Sequence, residues 1–189
     1  MAGSASDIAL ASNAMLLLGG SQIASFTEQS TESQIAANLF EHSYRTVLSS
    51  HRWRFAVKQV ALARLVTAPA ALFSYQFQLP TDLLSLIRTI NNENYEIYGD
   101  KLYSNSTSIT IEYVCDIPSD RIPSYFAKAV EYYLASQFAI PLTSDLDKAS
   151  YYDAKYLKAI ISAKTIDSSA RPSAELDLGR YTRVRRSNY

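Results

Sequence analysis

The chain has 189 residues, of which 48% are hydrophobic and 19% are charged, a composition typical of a folded domain rather than a disordered segment. Basic and acidic residues number 18 each, and a formal net charge of zero argues against a free-standing nucleic-acid-binding protein. Cys115 is the single cysteine and there are two histidines, so we expect no disulfide within the chain, no metal centre and no cofactor.

Two amphipathic helices are predicted in the N-terminal part. The first begins with Ser6 as its N-cap, and the pair Gly19-Gly20 ends it. The second opens with a capping box formed by Thr31 and Gln34 and runs to about His51. Apolar or small residues at helical spacing form one face of each helix: Ile8, Ala11, Met15 and Leu18 in the first, and Ala36, Phe40, Ser43 and Val47 in the second.

The middle of the chain changes to an alternating pattern that predicts β-strands. Residues 75–79 alternate between large apolar side chains and glutamines, and Pro80 follows them. Gly99-Asp100 predicts a two-residue hairpin turn in which the glycine supplies the positive φ. Further strands are predicted over 109–115 and, from weaker patterns, within 53–62 and 86–91, so residues 52–118 are expected to form one small antiparallel sheet.

Two more helices are predicted after the sheet. Pro123 is expected in the first turn of the third helix, and Pro141 is expected to end it. Ser144 and Asp147 are predicted to cap the fourth helix, which spans about 22 residues. The apolar face expected for the third helix contains Phe126, Val130, Tyr133, Leu134 and Gln137, and that of the fourth contains Tyr152, Tyr156, Ala159, Ala163 and Ile166.

This order of elements predicts an α+β fold. Two helical hairpins, from residues 1–51 and 119–167, would pack as a four-helix bundle, with the β subdomain 52–118 inserted between them. Residues 168–189 would follow as an extended tail. The tail holds five arginines and two acidic residues and has no helical period, so we expect it to become ordered only on another chain. No segment is apolar enough to span a membrane, and no secretory signal is predicted.

The sequence contains no catalytic motif. His42 and His51 lie nine positions apart on one predicted helix and would point to opposite sides, so they should not share a metal. Cys115 ends an alternating strand and is expected to be a buried small side chain. We therefore expect that the protein is not an enzyme. A pair of hydrolytic carboxylates leaves no linear motif, and this alternative stays open.

Two further patterns point to surfaces. A basic cluster near Trp53 fits either phosphate contact or the favourable C-terminal end of the second helix. Tyrosine is unusually abundant, with 14 residues, and tyrosine is enriched in protein–protein contacts. In each adjacent tyrosine pair of the last two helices, one ring is expected at a rim or interface. The basic residues are Arg45, Arg52, Arg54 and Lys58, and the tyrosine pairs are Tyr132-Tyr133 and Tyr151-Tyr152.

A series of short motifs runs through residues 5–165 in a recognisable order. It begins in the first helix and its exit, continues through the second helix into the segment around Trp53, and ends in the strands. The residues that carry it are Ala14, Leu18, Gly19, Ile23, Ser25 and Phe26; then Glu28, Ser30, Ala36, Ala37, Tyr44, Arg45, Leu48, His51, Trp53, Phe55 and Ala56; and finally Tyr75, Phe77, Leu79, Pro80, Asp82, Gly99, Asp100 and Leu102.

This series resembles the head-to-tail adaptors of short-tailed bacteriophages, also called tail tubular protein A. The resemblance implies a structural virion protein, made in the host cytoplasm, that forms a homo-oligomeric ring, typically of twelve copies. It also implies that the ring joins the portal protein to the tail nozzle protein, and that DNA passes through its channel without sequence-specific binding. The Arg-rich tail has no counterpart in the resemblance.

The tail nevertheless suggests a contact with the portal. Arginine makes paired hydrogen bonds to carboxylates, and tyrosine fills shallow apolar sites. A rival interpretation has the tail bind DNA in the channel. Three further classes stay open for the chain. They are a carboxylate-based hydrolase associated with the phage tail, a nucleic-acid-binding module, and a neighbouring head-completion or stopper connector. The residues expected to contact the portal are Arg180, Tyr181, Arg183, Arg185, Arg186 and Tyr189.

Overall fold

A computed structural model describes residues 3, 5–67, 69 and 72–169. Over these residues the fold is α+β, as the sequence predicts. It contains four α-helices, two antiparallel sheets of three strands each and two single turns of 3-10 helix. The helices are α1 (Ala5–Leu18), α2 (Thr31–Ser49), α3 (Ser124–Thr143) and α4 (Leu146–Ser169). The strands are β1 (Val57–Ala61), β2 (Tyr75–Gln78), β3 (Leu83–Thr89), β4 (Tyr95–Tyr98), β5 (Lys101–Ser104) and β6 (Thr110–Cys115).

Helix α3 is the centre of the helical part, because α1, α2 and α4 each pack against it. Its buried side chains include Phe126, Val130, Leu134 and Phe138, which recur every four residues along one side. Small residues such as Ala135 fill the space between them. None of the described helices is long and apolar enough to cross a membrane.

The first two helices differ from the predicted ones only at their ends. Helix α1 begins at Ala5, one residue before the predicted cap Ser6. The N-cap of α2 is Ser30, whose hydroxyl accepts a hydrogen bond from the backbone N–H of Ser33 at 3.2 Å. Thr31 is therefore the first helical residue, and the predicted capping box is wrong by one position. Helix α2 ends at Ser49, two residues before His51.

Pro141 does not end α3, contrary to the sequence prediction. It lies in the last turn, and the helix continues to Thr143. The proline removes one backbone donor there, but the Thr143 hydroxyl donates to the carbonyl of Ala139 at 2.7 Å and supports the turn. Ser144 then takes a left-handed conformation with φ of 52° and ends the helix. At the other end, Pro123 is the N-cap and not a residue of the first turn.

The cap and the buried face of α4 also differ from prediction. The carboxylate of Asp145 accepts hydrogen bonds from the backbone N–H groups of Asp147, at 2.9 Å, and Lys148, at 3.0 Å. Asp145, rather than Ser144 or Asp147, therefore caps this helix of 24 residues. Ile166, predicted on the buried face, is exposed.

The strands form two sheets and not the single sheet expected. The first has the order β1-β6-β3 and the second the order β2-β5-β4, with all pairs antiparallel. The segment that follows β1 forms hydrogen bonds with both sheets. Leu62 donates to Ile109 in the first sheet at 2.8 Å, and Leu65 donates to Gln76 in the second at 2.9 Å. Because one extended segment changes partner halfway, the alternating pattern predicts the strands but not their division.

The hairpin of β4 and β5 matches its prediction. Tyr98 pairs with Lys101, so two residues connect the strands. Gly99 has a φ of 62°, which a residue with a side chain adopts only at a cost. An added Cβ would meet no atom within 4 Å, so the glycine is required by its conformation and not by crowding.

An aromatic cluster joins the helices to the sheets. Trp53, fully buried, packs edge-on against Phe126 of α3 with the ring centroids 5.0 Å apart. Phe55 meets the same ring at 5.1 Å. Tyr44 of α2 donates its hydroxyl hydrogen to the carbonyl of Ile117 at 3.0 Å, just beyond β6. Helices and sheets therefore share one core in the described part of the chain.

Candidate functional site

Helix α4 carries an apolar face that nothing in the described chain covers. Leu146, Leu157 and Ile161 are 69%, 52% and 64% exposed, and Ala154 lies exposed between them. Positions separated by four or eleven residues lie on nearly the same side of an α-helix. We call this set, Leu146, Ala154, Leu157 and Ile161, the outer face of α4. Exposed apolar residues that share one side of a helix make that side a candidate interaction surface.

Helix α4 has a second apolar side, which packs against the core. Ile160 and Ala163 are buried against the core, and Tyr156 packs beside Tyr133 of α3 with the ring centroids 4.9 Å apart. This inner side already anchors the helix to α3. The apolar residues of the outer face are therefore not needed to hold α4 in place.

A group of tyrosines lies along one edge of α3 and α4. The rings of Tyr132 and Tyr152 stack at 6.4 Å, and Tyr151 meets Tyr152 edge-on at 5.2 Å. The Tyr152 hydroxyl donates a hydrogen bond to the carbonyl of Leu17 in α1. In this pair Tyr152 is half-buried, while Tyr151 is exposed and lies under the ammonium group of Lys155. Tyr151 is therefore at the rim, as expected for one member of the pair.

The remaining candidate groups for chemistry lie apart. His42 is exposed on α2, whereas His51 follows the helix and packs edge-on against Trp53 at 4.9 Å. Cys115 is buried, and burial raises the pKa of its thiol. A raised thiol pKa lowers the thiolate fraction that a nucleophile needs. Within the described residues, no group of three or more His, Cys, Asp or Glu side chains is placed to hold a metal ion.

The predicted basic cluster is divided between different sites. Arg45 pairs with Asp116 at 2.7 Å, and Lys58 pairs with Asp82 at 2.7 Å. Arg52 and Arg54 instead line an open groove with a volume of about 820 Å³. The third arginine of this groove, Arg88 of β3, was not predicted from the sequence. Only pairing of β3 with β6 brings it there, and the sequence carries no local signal for that pairing.

A second cavity, of about 520 Å³, is lined by aromatic and acidic side chains. Burial raises the pKa of Asp82 in this cavity, but hydrogen bonds from Lys58 and Tyr113 outweigh it, so the net pKa is below the usual range. Asp116 is held by Arg45. A general acid in a glycosidase needs a raised pKa, so Asp82 is suited to an ion pair and not to that role.

The predicted portal-contacting residues, Arg180, Tyr181, Arg183, Arg185, Arg186 and Tyr189, lie outside the described residues. Surfaces that the described residues offer to a partner include the outer face of α4, the edge formed by Tyr132, Tyr151 and Tyr152, and the two cavities described above. Comparison with protein-family models finds no match, and comparison with curated proteins finds none either.

Proposed function

We propose that this protein is a structural virion component, a ring-forming adaptor that joins a phage portal to the tail nozzle around the DNA exit channel. The observation that carries the proposal is the outer face of α4, which offers an apolar helix surface to another protein chain. The partners proposed are further copies of this chain, about twelve in a ring, the portal protein and the nozzle protein. DNA would pass without sequence-specific contact.

A closed ring gives the outer face of α4 a natural occupant. In a cyclic assembly each subunit presents one surface to one neighbour and a different surface to the other, so an apolar face can be covered repeatedly. Specific interfaces bury at least about 1,000 Å² in total. A helix of 24 residues, about 36 Å long at 1.5 Å per residue, is large enough to supply much of one side of such a contact.

The sequence resemblance supports the proposal from a different direction. Many residues that carry it occupy core positions: Tyr44, Leu48, Trp53, Phe77 and Leu102 are all buried. These positions determine packing, so a shared pattern there favours a shared fold. Function comes from surfaces, and for this reason the adaptor role needs its own test.

A role without catalysis is part of the proposal. It is supported by the separation of His42, His51 and Cys115 and by the ion pair that engages Asp82. The division into a helical body, 1–51 and 119–167, and an insert, 52–118, belongs to the same proposal. So do the four-helix bundle, an extended tail that begins after Ser169, where α4 ends, and a location at the head–tail junction of the virion. A stopper connector would use the same kind of apolar face.

Assembly onto portal-bearing heads tests the proposal. We expect Ile161→Asp to leave circular dichroism and the urea midpoint unchanged, because the side chain is exposed, and to abolish co-sedimentation with heads. Leu16→Asp is the matched control, since Leu16 is exposed on α1 outside this face. Rings seen on the heads by electron microscopy with the wild type and the control, but not with the variant, are the expected result. Full occupancy by the Ile161 variant would contradict the proposal.

A further inference from the structure

The groove near Trp53 is built on one row of the first sheet. Gln59 of β1 and Arg88 of β3 both pair with Glu112 of β6, so the three side chains lie side by side across the sheet. His51, Arg52 and Arg54 line the groove, together with Asp167 and Ser168 at the C-terminal end of α4. The result is an open depression of about 820 Å³.

Two of its arginines are oriented by a buried carboxylate. Glu112 is 1% exposed and receives hydrogen bonds from Arg52 at one oxygen and from Arg88, at 2.8 Å, at the other. Both arginine side chains remain about half exposed. A guanidinium group has five N–H donors, so each keeps donors free for a second acceptor. Their positions are fixed while their remaining donors face the groove.

The groove has an excess of positive charge. Arg54 lines it with an exposed side chain, and Lys164 is close enough to act on His51 electrostatically. The two carboxylates are already engaged, Glu112 by arginines and Asp167 by the backbone N–H of Arg54 and the hydroxyl of Tyr125. Three arginines therefore line the groove beside two carboxylates that already have partners, and their remaining donors can bind an anion.

The donor geometry favours phosphate over carboxylate. The two oxygens of a carboxylate lie in one plane, whereas the oxygens of a tetrahedral phosphate point in several directions and can accept from guanidinium groups on different sides of the ion. The groove presents three arginines from two different segments, the 51–54 loop and β3. It is also open at the surface, and its volume of about 820 Å³ is larger than one ion requires. It therefore suits phosphates carried on a chain.

We propose that this groove binds the phosphate backbone of a nucleic acid, without reading its sequence, through Arg52, Arg54 and Arg88. The inference is independent of the adaptor role and goes beyond it. Binding of this kind releases counterions, so the affinity falls as salt rises, with a slope in a log–log plot that counts the phosphates contacted.

Fluorescence anisotropy with a short labelled oligothymidylate tests the proposal on the full chain. We expect Arg54→Gln to weaken binding and to reduce the log–log salt slope by about 0.7, the value for one phosphate contact on a single strand. The Arg54 side chain forms no hydrogen bond or ion pair within the described structure, so this variant should fold. Lys101→Gln, in the β4–β5 hairpin, removes the same charge elsewhere and should leave the slope unchanged.

Competition experiments distinguish a nucleic acid from the other anions that could occupy the groove. Displacement of the oligonucleotide by another nucleic acid but not by polyglutamate supports the proposal. Displacement by polyglutamate at equal charge concentration would overturn it in favour of an acidic protein partner. Inorganic phosphate that binds as tightly as the oligonucleotide would assign the groove to a free ion and also overturn it. An unchanged salt slope in Arg54→Gln would do the same.

The two histidines give a second readout within one sample. Burial and the charge of Lys164 lower the pKa of His51, with Asp167 partly opposing them. Arg52 and Arg54 from its own segment and Arg88 from β3 also face the groove. A bound phosphate adds negative charge there, so the pKa of His51 measured by NMR should rise on adding oligothymidylate. The NMR signals of His42, exposed on α2, are the internal control and should be unaffected by oligothymidylate; an equal response of both histidines would contradict the proposal.

Discussion

The carboxylate of Asp167 accepts a hydrogen bond from the backbone N–H of Arg54 at 3.1 Å, across 113 residues of sequence. Asp167 is 3% exposed and also accepts from the Tyr125 hydroxyl at 3.1 Å. One buried side chain of α4 thus holds the start of the β region and the first turn of α3. This contact fixes the C-terminal end of α4 beside the arginine groove.

We expect Asp167→Ala to lower the free energy of unfolding by about 2 kcal/mol, because it leaves a backbone N–H and a tyrosine hydroxyl without their acceptor. Urea denaturation followed by circular dichroism measures the change. Asp153→Ala removes an exposed carboxylate from the same helix and should stay within about 0.5 kcal/mol of the wild type. Equal midpoints for the two variants would show that the buried contact contributes nothing.

Alkaline pH should weaken the fold through two tyrosines. Burial, and then a hydrogen bond to a carboxylate, raises the pKa of Tyr125 and of Tyr113 to about 12 each, with Asp167 and Asp82 as the acceptors. A raised pKa means that the folded state keeps its proton longer than the unfolded state, whose tyrosines titrate near about 10. The stabilisation is therefore complete below about pH 10 and is lost as pH rises toward about 12.

The measurement is the urea midpoint at several pH values between neutrality and this alkaline range. Tyr125→Phe removes one group whose pKa is raised in the folded state, so the stability of this variant should fall less steeply above about pH 10 than that of the wild type. Tyr151→Phe removes a hydroxyl from an exposed ring and serves as the control. Parallel curves for wild type and Tyr125→Phe would contradict this assignment.

Local patterns in the sequence predict where the helices and strands lie, but they do not predict which strands pair with one another. Glycine at position 99 and alternation around it specify the hairpin, because turn geometry is determined by neighbouring residues. The division into two sheets depends on the segment at 62–65, which changes partner, and no local pattern encodes that change. Pro141 does not end α3 as predicted, because the helix continues for two more residues to Thr143, whose hydroxyl donates to the carbonyl of Ala139.

The outer face of α4 could not be predicted from helical periodicity alone. Helix α4 has two apolar stripes, one ending in the buried Ala163 and one containing the exposed Leu157 and Ile161. Helical periodicity detects both but does not say which of them the rest of the chain covers. The prediction therefore placed the buried side partly on Ile166, and it missed the outer face altogether. Two arginines of the groove near Trp53, Arg52 and Arg54, belong to the predicted basic cluster because they are close in sequence. Arg88 is brought there by the pairing of β3 with β6, which the sequence does not show.

The pairing of Glu112 with two arginines should be strongly non-additive. Arg52→Ala or Arg88→Ala alone leaves the buried carboxylate one partner and should cost about 1 kcal/mol of unfolding free energy. The double variant strands a buried charge and should cost about 3 kcal/mol or more, above the sum of the two singles. Adding Glu112→Gln to the double variant removes the stranded charge and should recover part of the loss. Chemical denaturation of the wild type and the four variants measures this, and simple additivity would contradict it.

The portal contact proposed for the tail is best tested by truncation after Ser169, where α4 ends, so that Asp167 and its contacts are retained. We expect the truncated chain to keep the wild-type urea midpoint but to fail to attach to portal-bearing heads in co-sedimentation. Ordering an extended tail costs roughly 1–2 kcal/mol per residue, so attachment needs several well-desolvated anchors. Replacing the tail arginines by lysine keeps the charge but loses the planar fork, and should weaken attachment if paired hydrogen bonds to carboxylates are the anchors.

If the tail instead binds DNA, truncation should leave head attachment unchanged and remove crosslinks from the tail to DNA. Full occupancy of heads by the truncated chain would therefore contradict portal docking. The arginines replaced in the lysine variant are Arg180, Arg183, Arg185 and Arg186.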